Sequence, residues 1–243
     1  MIKKDSRVLS LITKAEQSLQ EEFKEIDQIE MQNLEKVLNA FNECNLEERH
    51  FVGSSGYGHN DIGKDITNQI FAKIFNAESA YVSPLFTSGT SAISHVLLGL
   101  LRPNDTMLCI SGTPYDTLKT VIFGNGKDNG SLKDFNILYE QIDLVNGSFD
   151  IPAIEAYLRE KQPKIVYIQR SRGYDWRNAL TLESIKEVCT VVKKISKAIV
   201  VVDNCYGEFV CTKEPTDVGA DIIVGSMIKN IGGGIKARWT LRT

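Results

Sequence analysis

The sequence predicts an α/β fold: a mostly parallel sheet flanked by helices and preceded by N-terminal helices. Three observations predict it. Short apolar runs alternate with helical patterns of roughly ten to fifteen residues from Ser79 onward. The stretch before them repeats apolar residues at helical spacing. Polar, chemistry-bearing residues fall directly after the apolar runs, where such sheets gather their ligands.

Taken in order, Val8, Leu11, Ile12, Ala15 and Leu19, then Phe23, Ile26 and Ile29, then Leu34, Val37, Leu38 and Phe41 mark one long or two shorter amphipathic helices. Their spacing drifts too much for a coiled coil. The Gly/Ser-rich segment Gly53–Gly58 reads as a loop, and Asn60-Asp61 as the cap of a helix through Phe75. Strands are expected at 79–83, 106–110, 136–139, 164–168, 198–203 and 221–225. Helices are expected at 90–101, 115–123, 151–160 and 182–196. Apolar strands of this kind are buried on both faces, which is the pattern of a parallel sheet covered by helices.

Composition excludes several classes. With 42% hydrophobic and 24% charged residues the chain is an ordinary globular one. A net charge of −3 with dispersed basic residues gives no case for nucleic acid or an anionic membrane. No apolar run is long enough to span a bilayer, and Met1-Ile2-Lys3-Lys4 leads into no signal core, so a cytoplasmic protein is expected. The five cysteines show no C-x-x-C spacing and read as reduced thiols, which makes the Asn146-Gly147-Ser148 sequon incidental. His50, His59 and His95 are scattered and give no metal site.

Five features follow the strands. Asp203 ends the strand 198–203, where a carboxylate is unfavourable unless a cation meets it, although a cap would also place an acid there. Lys229, in Ser226-Met227-Ile228-Lys229, follows the last strand among glycines, and Ser226 offers a hydroxyl to a phosphate. Ser88-Gly89-Thr90 opens a helix whose free amides suit an anion, though a plain Ser/Thr cap looks the same. Tyr115 is placed either to stack on a flat ring or to lie half-buried at a helix start. Gln169-Arg170-Ser171-Arg172-Gly173-Tyr174 carries guanidinium groups, or is a surface loop. Each signal is weak alone; their order and spacing are not.

Together with Ser54-Ser55-Gly56-Tyr57-Gly58-His59-Asn60-Asp61 and Val202-Asp203-Asn204-Cys205-Tyr206-Gly207-Glu208-Phe209, these motifs resemble the fold-type-I pyridoxal-phosphate (PLP) enzymes. More narrowly the sequence is similar to carbon–sulfur lyases of Cys/Met metabolism, in the aluminium-resistance or methionine gamma-lyase-like branch. The resemblance implies that Lys229 bonds PLP as a Schiff base and carries the Cα proton, and that Asp203 pairs with the pyridinium nitrogen. It implies that Tyr115 stacks on the ring and that Gly89, Thr90 and Ser226 hold the phosphate. Tyr57 matches a phosphate-binding tyrosine that related lyases take from a partner subunit, while His59 stands where their arginine would be. Arg172 falls where the ring hydroxyl is contacted. The implied substrate is a sulfur-containing amino acid losing a Cβ or Cγ sulfur group to leave a 2-oxo acid and ammonia, in a homodimer or homotetramer.

An aminotransferase or decarboxylase on the same scaffold, and a non-catalytic fragment, are the alternatives. A Ser-x-x-Lys penicillin-binding enzyme is excluded for want of Ser-Asp-Asn and Lys-Thr-Gly partners, and no nucleotide loop is present. The expected organisation is a helical segment with its Gly/Ser loop over 1–60, a partial PLP-binding domain over 61–235, and an aberrant tail over 236–243 with no strand period. With no small C-terminal domain to supply a carboxylate-binding arginine, a shortened product altered near Ile235 and of slight or absent activity is expected.

Overall fold

Burial of successive strand residues on both faces dictates two helical layers. In the strand Ile165–Gln169, Ile165 and Tyr167 face one way and Val166 and Ile168 the other, and all four are fully buried. A computed structural model describes residues 6–55, 60–126 and 130–232, and the backbone of 238–241. Its helices are α1 (Ser6–Ser18), α2 (Gln20–Glu43), α3 (Ile62–Ile74), α4 (Gly89–Leu100), α5 (Asp116–Phe123), α6 (Ile151–Glu160) and α7 (Leu182–Ile195). Its strands are β1 (Ala80–Ser83), β2 (Thr106–Cys109), β3 (Leu138–Gln141), β4 (Ile165–Gln169), β5 (Ile199–Asp203), β6 (Ile222–Ser226) and β7 (Arg238–Leu241).

The sheet order is β1-β7-β6-β5-β4-β2-β3. Strands β2 to β6 pair in parallel, and β7 pairs antiparallel with both β1 and β6. On one face Val166, Ile168, Val200, Val202 and Ile223 pack with Ile154, Ile185 and Val188 from α6 and α7. On the other, Met107, Tyr167, Val201 and Val224 pack with Ile93 and Leu97 of α4 and Leu118 of α5. Each such side chain contributes about 1.5–3 kcal/mol by leaving water, so this sandwich fixes where the strands end.

Helix starts are set by short polar side chains. Asp61, Ser88, Asp150 and Thr181 each accept a backbone N–H three residues on, at 2.9–3.2 Å. The N-terminal periodicity resolves into two helices rather than one, broken at Leu19. Helix α2 is tied to the loop after β5: Asn33 Nδ2 donates to the carbonyls of Phe209 and Cys211 at 3.0 and 3.1 Å, and Lys36 Nζ to that of Thr212 at 2.8 Å. Among the described residues no helix is long and apolar enough to cross a membrane.

Two expectations need correction. The third strand starts at Leu138 rather than 136, because Asn136 has a φ of 56° and cannot extend a strand. The tail expected to lack a strand contains β7, which fills the gap between β1 and β6. A strand inserted between two others is held by backbone hydrogen bonds on both sides, so alternating side chains are not required to form it.

Candidate functional site

Strand β5 carries Asp203 to the carboxyl end of the sheet, yet the residue is only 2% exposed. Its Oδ1 accepts the Cys205 amide at 3.0 Å and its Oδ2 the Tyr167 hydroxyl at 3.4 Å. Burial pushes the carboxyl up from its ordinary value, against the opposing pull of these donors and of the Lys229 charge. Next to it, in register, β6 runs through Val224 and ends at Ser226. A turn closed by the Lys229 amide on the Ser226 carbonyl, at 3.1 Å, brings the lysine back over the strand ends. Its Nζ lies 3.9 Å from the centroid of the Tyr206 ring.

The start of α4 faces the same point. Ser88 Oγ is engaged by the Ser91 amide, while the amides of Gly89 and Thr90, first in the helix, have no acceptor within it. Gly89 makes a close approach: a Cβ there would lie 3.2 Å from Cys205 Sγ, a tight contact, and 4.0 Å from Ser226 Cβ. The Ser226 hydroxyl is buried and has no hydrogen-bond partner among the described residues. Two amides with no acceptor in their own helix and one hydroxyl unpartnered among the described residues therefore converge at a positive helix end.

Tyr115 follows β2 and is half-buried. Its hydroxyl meets Thr90 Oγ1 at 3.1 Å and its amide donates to Gln169 Oε1 at 3.1 Å. Burial, aided by the Asp203 charge, raises this phenol well above its usual range, so it stays neutral. The Gln169 amide donates in turn to Ser111 Oγ at 2.8 Å, which joins the loops after β2 and β4 where the strand order reverses.

Lys229, Asp203, Gly89, Thr90, Tyr115, Ser226 and Arg172 all line one cavity of about 880 Å³. Tyr57 lies outside the described residues. A second concavity, about 810 Å³, lies at the amino ends of β2, β4 and β5 beside Lys164 and Lys197, far from these groups. The chemistry is at the carboxyl end.

The methionine gamma-lyase family model matches residues 8–239. The chain belongs to that family. It is 49% identical to a carbon–sulfur lyase involved in aluminum resistance from Clostridium novyi NT, with a TM-score of 0.94 over 98% of this chain and 58% of that one. It is 44% identical over 228 residues to the uncharacterized protein YnbB of Bacillus subtilis, covering 89% of this chain and 54% of that protein. It is 27% identical over 188 residues to the L-methionine gamma-lyase of Pseudomonas putida, covering 75% of this chain and 42% of that enzyme. The chain thus spans little more than half the length of the nearer of these relatives.

Within this member of the family the two arginines of the 169–174 loop divide. Arg172 is exposed at the cavity rim. Arg170 is buried, and its Nη1 donates to Asn204 Oδ1 at 2.8 Å and to the Gly207 carbonyl at 2.9 Å. Asn204 Nδ2 donates to Glu214 Oε2 at 2.8 Å, and Arg170 pairs with Glu214 at 3.9 Å. This network props up the loop after Asp203. Sequence reasoning gave no part to Glu208, Tyr206 or this network. An acid between Gly207 and Phe209, directly before an apolar residue, was the available signal for Glu208.

Proposed function

We propose that the chain is the cofactor-binding part of a PLP-dependent carbon–sulfur lyase acting on a sulfur-containing amino acid. The observation that carries this reading is the convergence of Lys229 and Asp203 with the Gly89–Thr90 helix start and the unpartnered Ser226 hydroxyl on one cavity. The donor set fits the group. Two free helix amides and a buried, unsatisfied hydroxyl suit a phosphate. A buried carboxyl raised by desolvation is relieved by a cationic ring nitrogen. A strand-end amine above an aromatic ring is within the same cavity to bond an aldehyde.

When bound, PLP supplies an electron sink for charge developing at the substrate Cα. The chain's own residues do the rest. Lys229 Nζ holds the cofactor and moves the proton at Cα. Asp203 keeps a proton on the ring nitrogen, and its Tyr167 and Cys205 donors fix the carboxyl orientation. Tyr115 covers the ring, neutral at working pH. Gly89, Thr90 and Ser226 orient the phosphate, and Arg172 at the rim contacts the ring hydroxyl. A partner subunit's tyrosine, the counterpart of Tyr57, completes the phosphate site in the assembled protein.

The absorption spectrum of the chain with PLP tests the cofactor part. A Lys229-dependent band is expected in the native chain and is expected to vanish in Lys229→Ala; a band that survives the substitution overturns the assignment. Incubation with cystathionine, cysteine and methionine tests the reaction. Release of 2-oxo acid, ammonia and a thiol supports elimination, whereas amino-group transfer without thiol release points to an aminotransferase.

A further inference from the structure

Glu208 lies behind the cavity rather than on its wall, yet it holds the lysine-bearing turn at both ends. Its Oε1 accepts the Ser226 amide at 2.7 Å, and its carbonyl accepts Asn230 Nδ2 at 3.1 Å. Lys229 sits between these two anchors. Glu208 is 0% exposed, and its second oxygen, Oε2, has no partner among the described residues. The adjoining Ser226 hydroxyl is likewise buried and without a partner. Two unsatisfied buried oxygens thus belong to residues joined by one short hydrogen bond.

A buried carboxyl with one bare oxygen favours its neutral form. Two charged groups act on it. Lys229, on the turn it clamps, favours ionisation, and Asp203, from the end of β5, opposes it. Burial outweighs the Ser226 and Glu208 backbone donors and the lysine, and the acid is pushed up to about 7. A phosphate dianion at Ser226 would add a second negative charge one residue away, and like charges in a shared site cannot both remain ionised without a large penalty.

We propose that Glu208 is a positioning residue that clamps the Ser226–Asn230 turn and takes up a proton when a phosphate dianion occupies the adjoining Ser226 site. This rests on the cofactor reading given above. The balance is direct: one proton leaves solvent and binds the Glu208 carboxylate, which becomes an uncharged acid and still accepts from the Ser226 amide. Cofactor loading therefore weakens as pH rises past neutrality, because the proton must be found in more alkaline solvent.

Calorimetric titration of the full chain with PLP near pH 8, in buffers of different ionisation enthalpy, reads the proton directly. Uptake per PLP bound is expected to exceed that per pyridoxal by roughly half a proton or more, the protons exchanged at Lys229 and the ring nitrogen being common to both. Pyridoxal, which keeps the aldehyde and ring but lacks the phosphate, is expected to bind with clearly less uptake. Glu208→Gln preserves an acceptor for the Ser226 amide and is expected to bind PLP with uptake reduced to the pyridoxal level. Equal uptake with PLP and pyridoxal in the native chain overturns the proposal without recourse to any variant, and so does undiminished uptake in Glu208→Gln. PLP binding with its Lys229-dependent band but with no more proton uptake than pyridoxal sinks the proposal and leaves the cofactor reading standing. No band and no binding heat overturn both.

Discussion

Lys229 Nζ lies 3.9 Å from the centroid of the Tyr206 ring, and that ring is carried by a residue held at a φ of 69°. A tyrosine in the left-handed region is disfavoured by about 1–2 kcal/mol, so the loop after β5 is strained where it presents an aromatic face to the lysine. Tyr206 is 60% exposed and packs little, which makes the strain measurable. Tyr206→Gly and Tyr206→Ala both remove the ring, but only glycine is at ease at this φ. Tyr206→Gly is therefore expected to be more stable than Tyr206→Ala by about 1 kcal/mol, the reverse of their usual order in regular structure. Urea denaturation of the pair decides it, and equal stabilities would remove the strain from the account.

The same loop is fixed from below by Gly207. A Cβ at this position would lie 2.5 Å from Asn204 Oδ1 and 2.6 Å from Arg170 Nη1, inside the buried network. Gly207→Ala must displace the guanidinium from Asn204 and Glu214, and a buried charge left without its partners is costly. A loss of about 3 kcal/mol is expected in chemical denaturation. A loss below about 1 kcal/mol would mean that the loop relaxes freely around the added methyl.

These two residues also mark the limit of what could be read in advance. The parallel strands β2 and β4 to β6 are apolar runs bounded by polar residues, so local pattern was enough to find them and to place Asp203 and Lys229 at their ends. Strand β7 was missed because its pairing with β1 and β6 joins segments far apart in the chain, and nothing in its own residues announces it. Arg170 and Arg172 look alike in a sequence. Only the fold shows that one lies buried against Asn204 and the other stands at the rim. Tyr206 has no side-chain feature that signals a positive φ. Its strain is imposed by the hydrogen bonds and packing around it, which belong to tertiary structure.

Glu208 makes stability depend on pH in a direction opposite to most surface acids. Its ordinary value is 4.5 and burial raises it to about 7 in the fold. A raised acid binds its proton more tightly when folded, so its contribution is complete below the unfolded value and is lost as pH rises through the folded one. The corresponding loss is about 3 kcal/mol between pH 4.5 and about pH 8. Glu208→Gln cannot titrate. The stability of the native chain relative to this variant is expected to fall by that amount over the same window, measured by urea denaturation at several pH values. A difference that stays flat, or rises with pH, would contradict the buried, raised acid.

Ser226 separates stability from binding. Its hydroxyl is buried and unpartnered among the described residues, so Ser226→Ala removes no hydrogen bond to any of them and relieves an unsatisfied group. Stability is expected to be unchanged or higher by up to about 1 kcal/mol. Binding should respond the other way. A hydrogen bond to a charged phosphate contributes about 1.5–3 kcal/mol, so the PLP dissociation constant is expected to rise about tenfold or more. Pyridoxal, which has no phosphate to meet the hydroxyl, is expected to bind Ser226→Ala and the native chain alike. If both ligands lose affinity by the same factor, the hydroxyl acts through the turn that carries Lys229 rather than on the phosphate. The Glu208 clamp on the Ser226 amide would then be the feature that sets the site.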